Sequence, residues 1–283
     1  MEKQTASRKK RSITLIIMTG GLVLLLFLAL ILPPQEEAPV TRLPVLAYHG
    51  ILGEPYYYPI NVDNPWILSQ AVFEEQMRYL YENGYQTITA AELYRFLQYG
   101  EALPENPVLI TFDDGYLDNA VFAYPVMRQF GFTGILFMIT SAIAEESGTI
   151  VAYPSLFMSF YDMEGIQGVF AFGSHTHDMH HYVYEDTPRF YVASVEEIRA
   201  DLRESFGQPF LSIEAGFAYP YGRHSENAVQ ALREEGVPFA FTTYWGYVQQ
   251  GSDRFRLPRF SIVTDITIER FSEIVSGSWA PEE

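Results

Sequence analysis

The sequence predicts an α/β fold of parallel strands, arranged either as a barrel or as an open doubly wound sheet. Strand-like and helix-like segments alternate through most of residues 43–275, which is the pattern of consecutive βαβ units. Residues that are unusual beside apolar strands, such as His49, Asp113 and His175, come where the predicted strands end. Both architectures place their chemistry at the carboxyl ends of the strands, so these residues predict a functional site there.

Local patterns predict the individual elements. Residues 69–83 carry apolar residues at helical spacing, with Ser69 as a candidate N-cap and Gly84 just past the end. The apolar run PVLITF at 107–112 is typical of a buried strand. Similar patterns predict strands at 43–49, 133–140, 169–175, 237–243 and 257–263, a strand and turn at 215–222, and helices at 90–98, 118–130, 194–206, 225–236 and 267–275. Residues 141–168 are expected to be a partly helical insertion.

The amino-terminal segment predicts a membrane anchor. The cluster RKKR at 8–11 precedes about 20 uncharged, mostly apolar residues, enough to span a bilayer. A cleaved signal peptide is the alternative, but the run is long and has no clear A-x-A site. We therefore expect a cytoplasmic tail at 1–11, a transmembrane signal-anchor at 12–32, a linker at 33–42 and an extracytoplasmic catalytic domain at 43–283.

The charge of the exported part argues against polyanionic partners. From Pro33 onward, 13 arginines face 34 acidic residues, a net charge of about −21. Such a domain repels nucleic acid and anionic lipid surfaces, so a neutral or cationic substrate is expected and no nucleic-acid partner. The acidity is equally compatible with an adaptation for solubility.

Two polar clusters predict a metal centre. Four of the six histidines (His175, His177, His180 and His181) fall within seven residues just after a predicted strand. Imidazole nitrogens with one carboxylate oxygen form a typical set of ligands for Zn²⁺ and related ions. The adjacent acids Asp113 and Asp114 are costly at the end of an apolar strand unless something compensates their charge. A cation bound by one aspartate would stabilise the other as a free carboxylate.

Three motifs in order resemble those of a known family. TFDDGY (111–116), SHTHDMHH (174–181) and FAYPYG (217–222) are similar to the motifs of polysaccharide deacetylases of carbohydrate esterase family 4, the NodB-homology domain. PVLAYHGI (44–51) and LPRFSI (257–262) resemble the branch that includes poly-N-acetylglucosamine de-N-acetylases of biofilm polysaccharide. This resemblance implies a distorted (β/α) barrel with fewer than eight regular strands and one divalent ion, with Zn²⁺ the first choice and Co²⁺, Ni²⁺ or Mn²⁺ the alternatives.

The resemblance also implies roles for individual residues. Asp113 is the expected general base, and the expected metal ligands are Asp114, His175 and His180, the last because the biofilm branch spaces the two histidines five apart. The expected oxyanion donor is the backbone amide of Tyr221. The expected substrate-binding set is Tyr219, Pro220, Tyr221 and His181, with a position behind the ligands as the alternative for His181.

The chain departs from the family pattern at two places. The third motif begins with Phe217 where many relatives carry an arginine that orients the base. Arg259 is the candidate replacement, and a structural salt bridge is the competing explanation. No histidine follows His224, so the usual late general acid is missing. His49 is the candidate for the acid or a substrate contact, and a protonated Asp113 that returns its proton is the alternative.

Together these features predict a membrane-tethered, metal-dependent enzyme that removes N-acetyl groups from an extracellular polysaccharide containing N-acetylglucosamine (GlcNAc). Peptidoglycan, chitin-type oligomers and O-acetylated polymers are alternative substrates. A non-catalytic, anchored polysaccharide-binding module is the alternative from a different class. The sequence identifies no protein partner.

Overall fold

The computed structural model describes residues 42–54, 56, 64–148 and 156–281. The predicted cytoplasmic tail and membrane span lie outside these residues, as does all of the linker except Arg42. Within the described ranges, no helix is both long enough and apolar enough to cross a membrane.

Short strands and helices alternate along the described chain. The strands are β1 Val45–Tyr48, β2 Gly50–Leu52, β3 Ile67–Ser69, β4 Gln86–Thr87, β5 Pro107–Phe112, β6 Gly134–Met138, β7 Phe170–Ser174, β8 Tyr182–Tyr184, β9 Thr187–Pro188, β10 Phe217–Ala218, β11 Ala240–Phe241 and β12 Phe260–Ser261. The α-helices are α1 Gln70–Glu82, α2 Ala90–Tyr99, α3 Tyr124–Phe130, α4 Phe160–Ile166, α5 Arg189–Val192, α6 Val195–Phe206, α7 Glu226–Glu234 and α8 Ile268–Val275.

The main sheet is parallel and curls toward closure. Its strand order is β11-β10-β7-β6-β5-β1-β12, with β4 added beside β5. The last segment contacts both edges of this order, because Leu257 bridges Phe241 of β11 while Phe260 and Ser261 pair with β1. The result is a half-barrel of parallel strands, which confirms the predicted α/β class and its barrel-like architecture. The carboxyl ends of the strands therefore meet at one end of the sheet.

The helices begin where side chains satisfy their first backbone N–H groups. Ser69 accepts from the amide of Val72 at the start of α1. Thr89 and Ser194 form capping boxes with Glu92 and Glu197 at the starts of α2 and α6. These local signals are the reason why the predicted helices at 69–83, 90–98 and 194–206 agree closely with the observed ones.

The late strands are shorter than the sequence predicts. The predicted strands 237–243 and 257–263 are reduced to the two-residue β11 and β12. The predicted strand and turn at 215–222 are the two-residue β10 and a turn at Pro220–Gly222. Pro238 and Pro258 have no N–H to donate to a ladder, which limits pairing in β11 and β12. The predicted helix 118–130 begins as a π-helical turn, Asn119–Ala123, before continuing as α3.

Candidate active site

Asp113 and Asp114 follow β5 directly, in a sharp turn at the carboxyl end of the sheet. The amide of Asp113 donates to the carbonyl of Tyr48 at 3.0 Å, which extends the β1–β5 pairing by one bond. Asp114 then adopts φ 75° and Gly115 φ 86°. The left-handed region is uncommon for residues other than glycine, and aspartate is among those that tolerate it. This turn gives the two neighbouring carboxylates different surroundings.

Asp113 is held by a buried, two-pronged ion pair with Arg259. The Nη1 and Nη2 atoms of Arg259 donate to Oδ1 and Oδ2 of Asp113, each at 2.7 Å. The guanidinium also donates to the carbonyl of Thr242 at 3.0 Å and to Oγ1 of Thr111 at 3.1 Å. Arg259 is 0% exposed and Asp113 2%. A planar guanidinium held by so many acceptors fixes the orientation of the carboxylate.

Neighbouring groups, Arg259 first among them, determine the protonation of Asp113. Burial raises the pKa of this carboxyl group, but the charge of Arg259, the neighbouring His175 and the hydrogen bonds of Arg259 together lower it more. The net result is a pKa well below the usual range. Asp113 is therefore a carboxylate at neutral pH, the form that can accept a proton.

Asp114, His175 and His180 converge on one point beside this pair. The Oδ1 atom of Asp114 lies 3.6 Å from Nε2 of His175 and 3.7 Å from Nε2 of His180. Three ligands at about 2.0–2.2 Å from a tetrahedral ion lie about 3.4 Å apart, close to these separations. One oxygen and two nitrogen donors are also a set that Zn²⁺ and related ions favour.

Their hydrogen bonding supports the same interpretation. Oδ1 of Asp114 is buried and has no hydrogen-bond partner in the described part of the chain. Nδ1 of His175 lies 2.7 Å from the carbonyl of Ala218, to which it donates, so its Nε2 carries the free lone pair. Burial, with the neighbouring His175, lowers the pKa of His180 to about 4. Nε2 of His175 and Nε2 of His180 both face Oδ1 of Asp114, and the three residues fit a divalent cation.

The triad and Asp113 share a cavity of about 510 Å³ with aromatic walls. On one side Trp66, 42% exposed, lies against His49 with ring centroids 4.7 Å apart. On the other side Tyr182, 46% exposed, stacks on Tyr221 at 4.1 Å. A carboxylate base, a candidate cation site and flat apolar rings in one cavity suit the hydrolysis of a sugar derivative.

Comparison with known proteins identifies the family. Residues 100–240 match the polysaccharide deacetylase family. The chain belongs to the polysaccharide deacetylase family. This confirms the family and the enzyme class that the sequence predicts.

Several relatives of this deacetylase are informative. YxkH of Bacillus subtilis, a proposed polysaccharide deacetylase, is 29% identical over 243 residues, covering 86% of this chain and 79% of its own. The poly-beta-1,6-N-acetyl-D-glucosamine N-deacetylase of Staphylococcus aureus is 25% identical over 213 residues, covering 70% and 68%.

Two solved structures share the fold of this deacetylase. The Streptococcus pyogenes deacetylase PplD in complex with acetate aligns with TM-score 0.69 at 22% identity, covering 83% of this chain and 99% of that one. IcaB from Ammonifex degensii aligns with TM-score 0.67 at 23% identity, covering 84% and 97%. At these identities the likeness is one of fold.

Only the last two residues of the third motif, Tyr221 and Gly222, line the cavity of the deacetylase. Tyr221 has φ 56° and faces the cavity, as does Gly222 at φ 70°. A Cβ atom on Gly222 would lie 2.0 Å from Oγ1 of Thr243, so the turn requires glycine there. Tyr219, in contrast, is 0% exposed and donates from its hydroxyl to the carbonyl of Phe255 at 3.0 Å.

The structure places the members of the predicted substrate-binding set in different environments. The side chain of Tyr219 packs in the core and is not among the residues that line the cavity. Pro220 is buried and is not among the residues that line the cavity. His181 is exposed and also lies outside the lining, because the chain turns outward after His180. Tyr221 is the member of the predicted set that faces the cavity.

The remaining histidines fall into separate environments. His49 lines the cavity and is half-buried, and the desolvation of its ring lowers its pKa. Its Nδ1 has no hydrogen-bond partner among the described residues. His177 turns away from the triad, with Nδ1 3.0 Å from Oγ1 of Thr140. His224 accepts from Nε of Arg256 at 3.0 Å.

Sequence patterns did not reveal the cavity walls. Trp66 precedes β3, far from the three motifs, and Tyr182 begins β8 directly after the second motif without being part of it. Each is an exposed large aromatic residue, which is unusual enough to draw attention only once the fold is known. Thr243, just after β11, also lines the cavity. Its position at a strand end is the signal that could have identified it.

Proposed function

We propose that the chain hydrolyses N-acetyl groups of an extracellular polysaccharide containing GlcNAc, with a divalent cation as cofactor. The observation that supports this proposal most strongly is the Asp113–Arg259 pair beside the Asp114–His175–His180 triad in one cavity. The S. aureus relative, named for deacetylation of poly-β-1,6-GlcNAc, supports a GlcNAc polymer as the substrate. The net negative charge of the domain suits a neutral polymer whose product is cationic.

Asp114, His175 and His180 would hold the cation, with Zn²⁺ the first choice and Co²⁺, Ni²⁺ or Mn²⁺ the alternatives. When bound, such a cation lowers the pKa of water toward neutrality and polarises a carbonyl group. The hydrogen bond from His175 to the carbonyl of Ala218 orients one imidazole toward this point.

Asp113 would take the proton from the attacking water. Its two oxygens each accept one bond from Arg259, and each keeps a lone pair for a second donor. Its lowered pKa keeps the carboxylate ready at neutral pH. The backbone amide of Tyr221 is the proposed donor to the developing oxyanion. Arg259 is not itself among the residues that line the cavity and acts by orienting the base that does.

The proton for the leaving amine has two candidate sources. Asp113 can return the proton that it takes from water. His49 also lines the cavity, but burial lowers its pKa, so it is neutral at pH 7 and must first gain a proton. Return by Asp113 is therefore the simpler route.

The membrane anchor remains part of the proposal. The apolar run within 12–32 and the basic cluster RKKR at 8–11 support a single span with the catalytic domain, 43–283, on the extracytoplasmic side. Protease treatment of intact cells tests this topology. Digestion of the domain in intact cells supports it, and protection until lysis contradicts it.

Removal of one ligand should abolish stoichiometric cation binding. His180→Ala deletes one of the three donor atoms, and we expect metal analysis of the dialysed protein to fall from one ion per chain to nearly none. His181→Ala is the matched control, since this neighbouring histidine is exposed and outside the cavity lining. Equal loss in both variants would contradict the assignment.

Tyr182 should contribute to binding of the polymer. Tyr182→Ala removes a ring that lines the cavity and stacks on Tyr221, so we expect KM for GlcNAc oligomers to rise about tenfold, the equivalent of about 1.4 kcal/mol. Tyr184→Ala is the control, because Tyr184 is exposed on the same strand but does not line the cavity. An unchanged KM in Tyr182→Ala would remove this contact from the proposal.

Acetate release from a panel of polymers tests the function itself. The panel comprises β-1,6-linked GlcNAc oligomers, chitin oligomers, peptidoglycan and acetylated xylan. Release from the first that is lost in Asp114→Asn supports the proposal. A protein that binds oligosaccharide in calorimetry but releases no acetate from any polymer would instead be the non-catalytic binding module.

A further inference from the structure

The buried face of helix α6 carries two polar side chains that the proposed chemistry does not use. Asp201 is 8% exposed and Ser205 is 0% exposed, one helical turn apart. Their buried neighbours on the helix are Ile198 and Leu202, so the face is otherwise apolar. Buried polar groups in such a position are costly unless they are hydrogen-bonded. Asp201 has partners on the histidine loop (residues 175–181), and Ser205 pairs with Ser174, the last residue of β7 before that loop.

Asp201 binds two consecutive backbone amides of that loop. Its Oδ1 accepts from the amide of His177 and its Oδ2 from the amide of Asp178, each at 2.8 Å. These two residues lie between His175 and His180, the two histidines of the candidate metal site. The carboxylate therefore fixes the middle of the segment that joins both ligands.

Ser205 fixes the start of the same loop. Its hydroxyl lies 2.8 Å from that of Ser174, which in turn accepts from the amide of Thr176 at 3.1 Å. Thr176 has φ 82°, a conformation that a threonine adopts only when its surroundings impose it. Helix α6 thus holds the loop at two places, one helical turn apart.

We propose that Asp201 is a positioning residue of the metal centre: by binding the amides of His177 and Asp178, it sets the separation and orientation of His175 and His180. This inference rests on the proposed metal site. Because Asp201 touches neither the cavity nor a ligand side chain, its effect reaches the cation only through the backbone of the loop. Groups that orient ligands in this indirect way typically affect metal affinity about 10–100-fold.

Two substitutions at this position predict a graded effect. Asp201→Asn keeps one acceptor oxygen but presents an NH₂ group to the second amide, whereas Asp201→Ala removes both acceptors. In the full chain, we expect the affinity for Zn²⁺, measured by competition with a chromophoric chelator, to fall about tenfold in the first variant and further in the second. The absorption spectrum of the Co²⁺-loaded protein should change in both, since it reports the geometry around the ion.

Glu197→Ala is the matched control on the same helix. Glu197 accepts from the amide of Ser194 at 2.9 Å and so stabilises the start of α6, without a contact to the histidine loop. We expect its Zn²⁺ affinity and Co²⁺ spectrum to equal those of the wild type.

Four results would overturn the proposal. Wild-type affinity and spectrum in Asp201→Ala would show that the loop keeps its geometry unaided. Equal losses in Glu197→Ala would make helix stability the cause. If the Asp201→Asn protein were unfolded without metal, the carboxylate would be needed to stabilise the whole domain rather than to position the metal ligands. Failure of the wild type to bind any cation would refute the metal site itself, a different failure from the other three.

Discussion

Replacement of Asp113 by asparagine should lower kcat by about 10²–10⁴-fold while one cation remains bound. The amide keeps the shape of the side chain but cannot take a proton from water. Because Asp114, His175 and His180 are untouched, metal content should stay at one ion per chain. Steady-state acetate release and metal analysis on the same preparation measure both quantities.

Asp178→Asn is the control for this substitution. Asp178 lies in the histidine loop, is exposed and does not line the cavity, so its loss of charge should leave kcat nearly unchanged. A kcat in Asp113→Asn within a few-fold of the wild type would contradict the role of Asp113 as the base. Loss of the cation in that variant would instead place Asp113 among the ligands.

Replacement of Arg259 should cost stability as well as activity. Arg259→Met leaves the Asp113 carboxylate buried without its partner, and breaking a buried pair in this way typically costs about 3–5 kcal/mol of unfolding free energy. Urea denaturation measures the loss. Adding Asp113→Asn to Arg259→Met should recover part of it, because no buried charge is then left unpaired.

Arg270→Met is the matched control for the loss of an arginine. Arg270 forms a surface ion pair with Glu273 at 2.9 Å, and such pairs contribute about 0.2–1 kcal/mol. If Arg259→Met were no more destabilising than Arg270→Met, the buried pair would not have the importance that we assign to it.

The same pair determines how stability and activity depend on pH. The folded pKa of Asp113 lies below the unfolded value of about 3.9, so the pair stabilises the fold above that pH. This contribution is lost as the pH falls through the folded pKa. Without Arg259 burial raises the pKa of Asp113, so the acid limb of kcat/KM in Arg259→Met should move to higher pH. An acid limb at the wild-type position would contradict this link.

Sequence patterns predicted the elements that interactions between neighbouring residues determine, such as capped helices. Ser69 and the capping boxes at Thr89 and Ser194 specify helix starts within a few residues of chain, and these helices were predicted closely. The two-residue strands β11 and β12 depend on which N–H groups find partners across the sheet, and neighbouring prolines limit that pairing.

The candidate site likewise contains residues that the sequence identified and residues that it did not. Asp113, Asp114 and His175 stand at strand ends, and the resemblance to the family singled out His180 among the histidines that follow. The fold brings all four together in one cavity. The sequence left two roles open for Arg259, orientation of the base or a structural salt bridge, because its contact with Asp113 joins residues 146 apart in the chain.

The sequence could not predict the direction of individual side chains or the residues that form the cavity walls. The inward packing of Tyr219 and the outward turn at His181 depend on the exact path of each loop. Trp66 reaches the cavity from a segment without a motif, and Tyr182 from the position just after the second motif. Asp201 acts through backbone amides that no pattern marks.

The most direct test of metal-dependent deacetylation is acetate release from β-1,6-linked GlcNAc oligomers by the metal-stripped full chain as Zn²⁺ is added back. We expect no release from the stripped protein and a linear rise that ends at one equivalent of cation, absent in Asp113→Asn. Release from the stripped protein that equals the loaded rate, or one bound equivalent without any release, would contradict it.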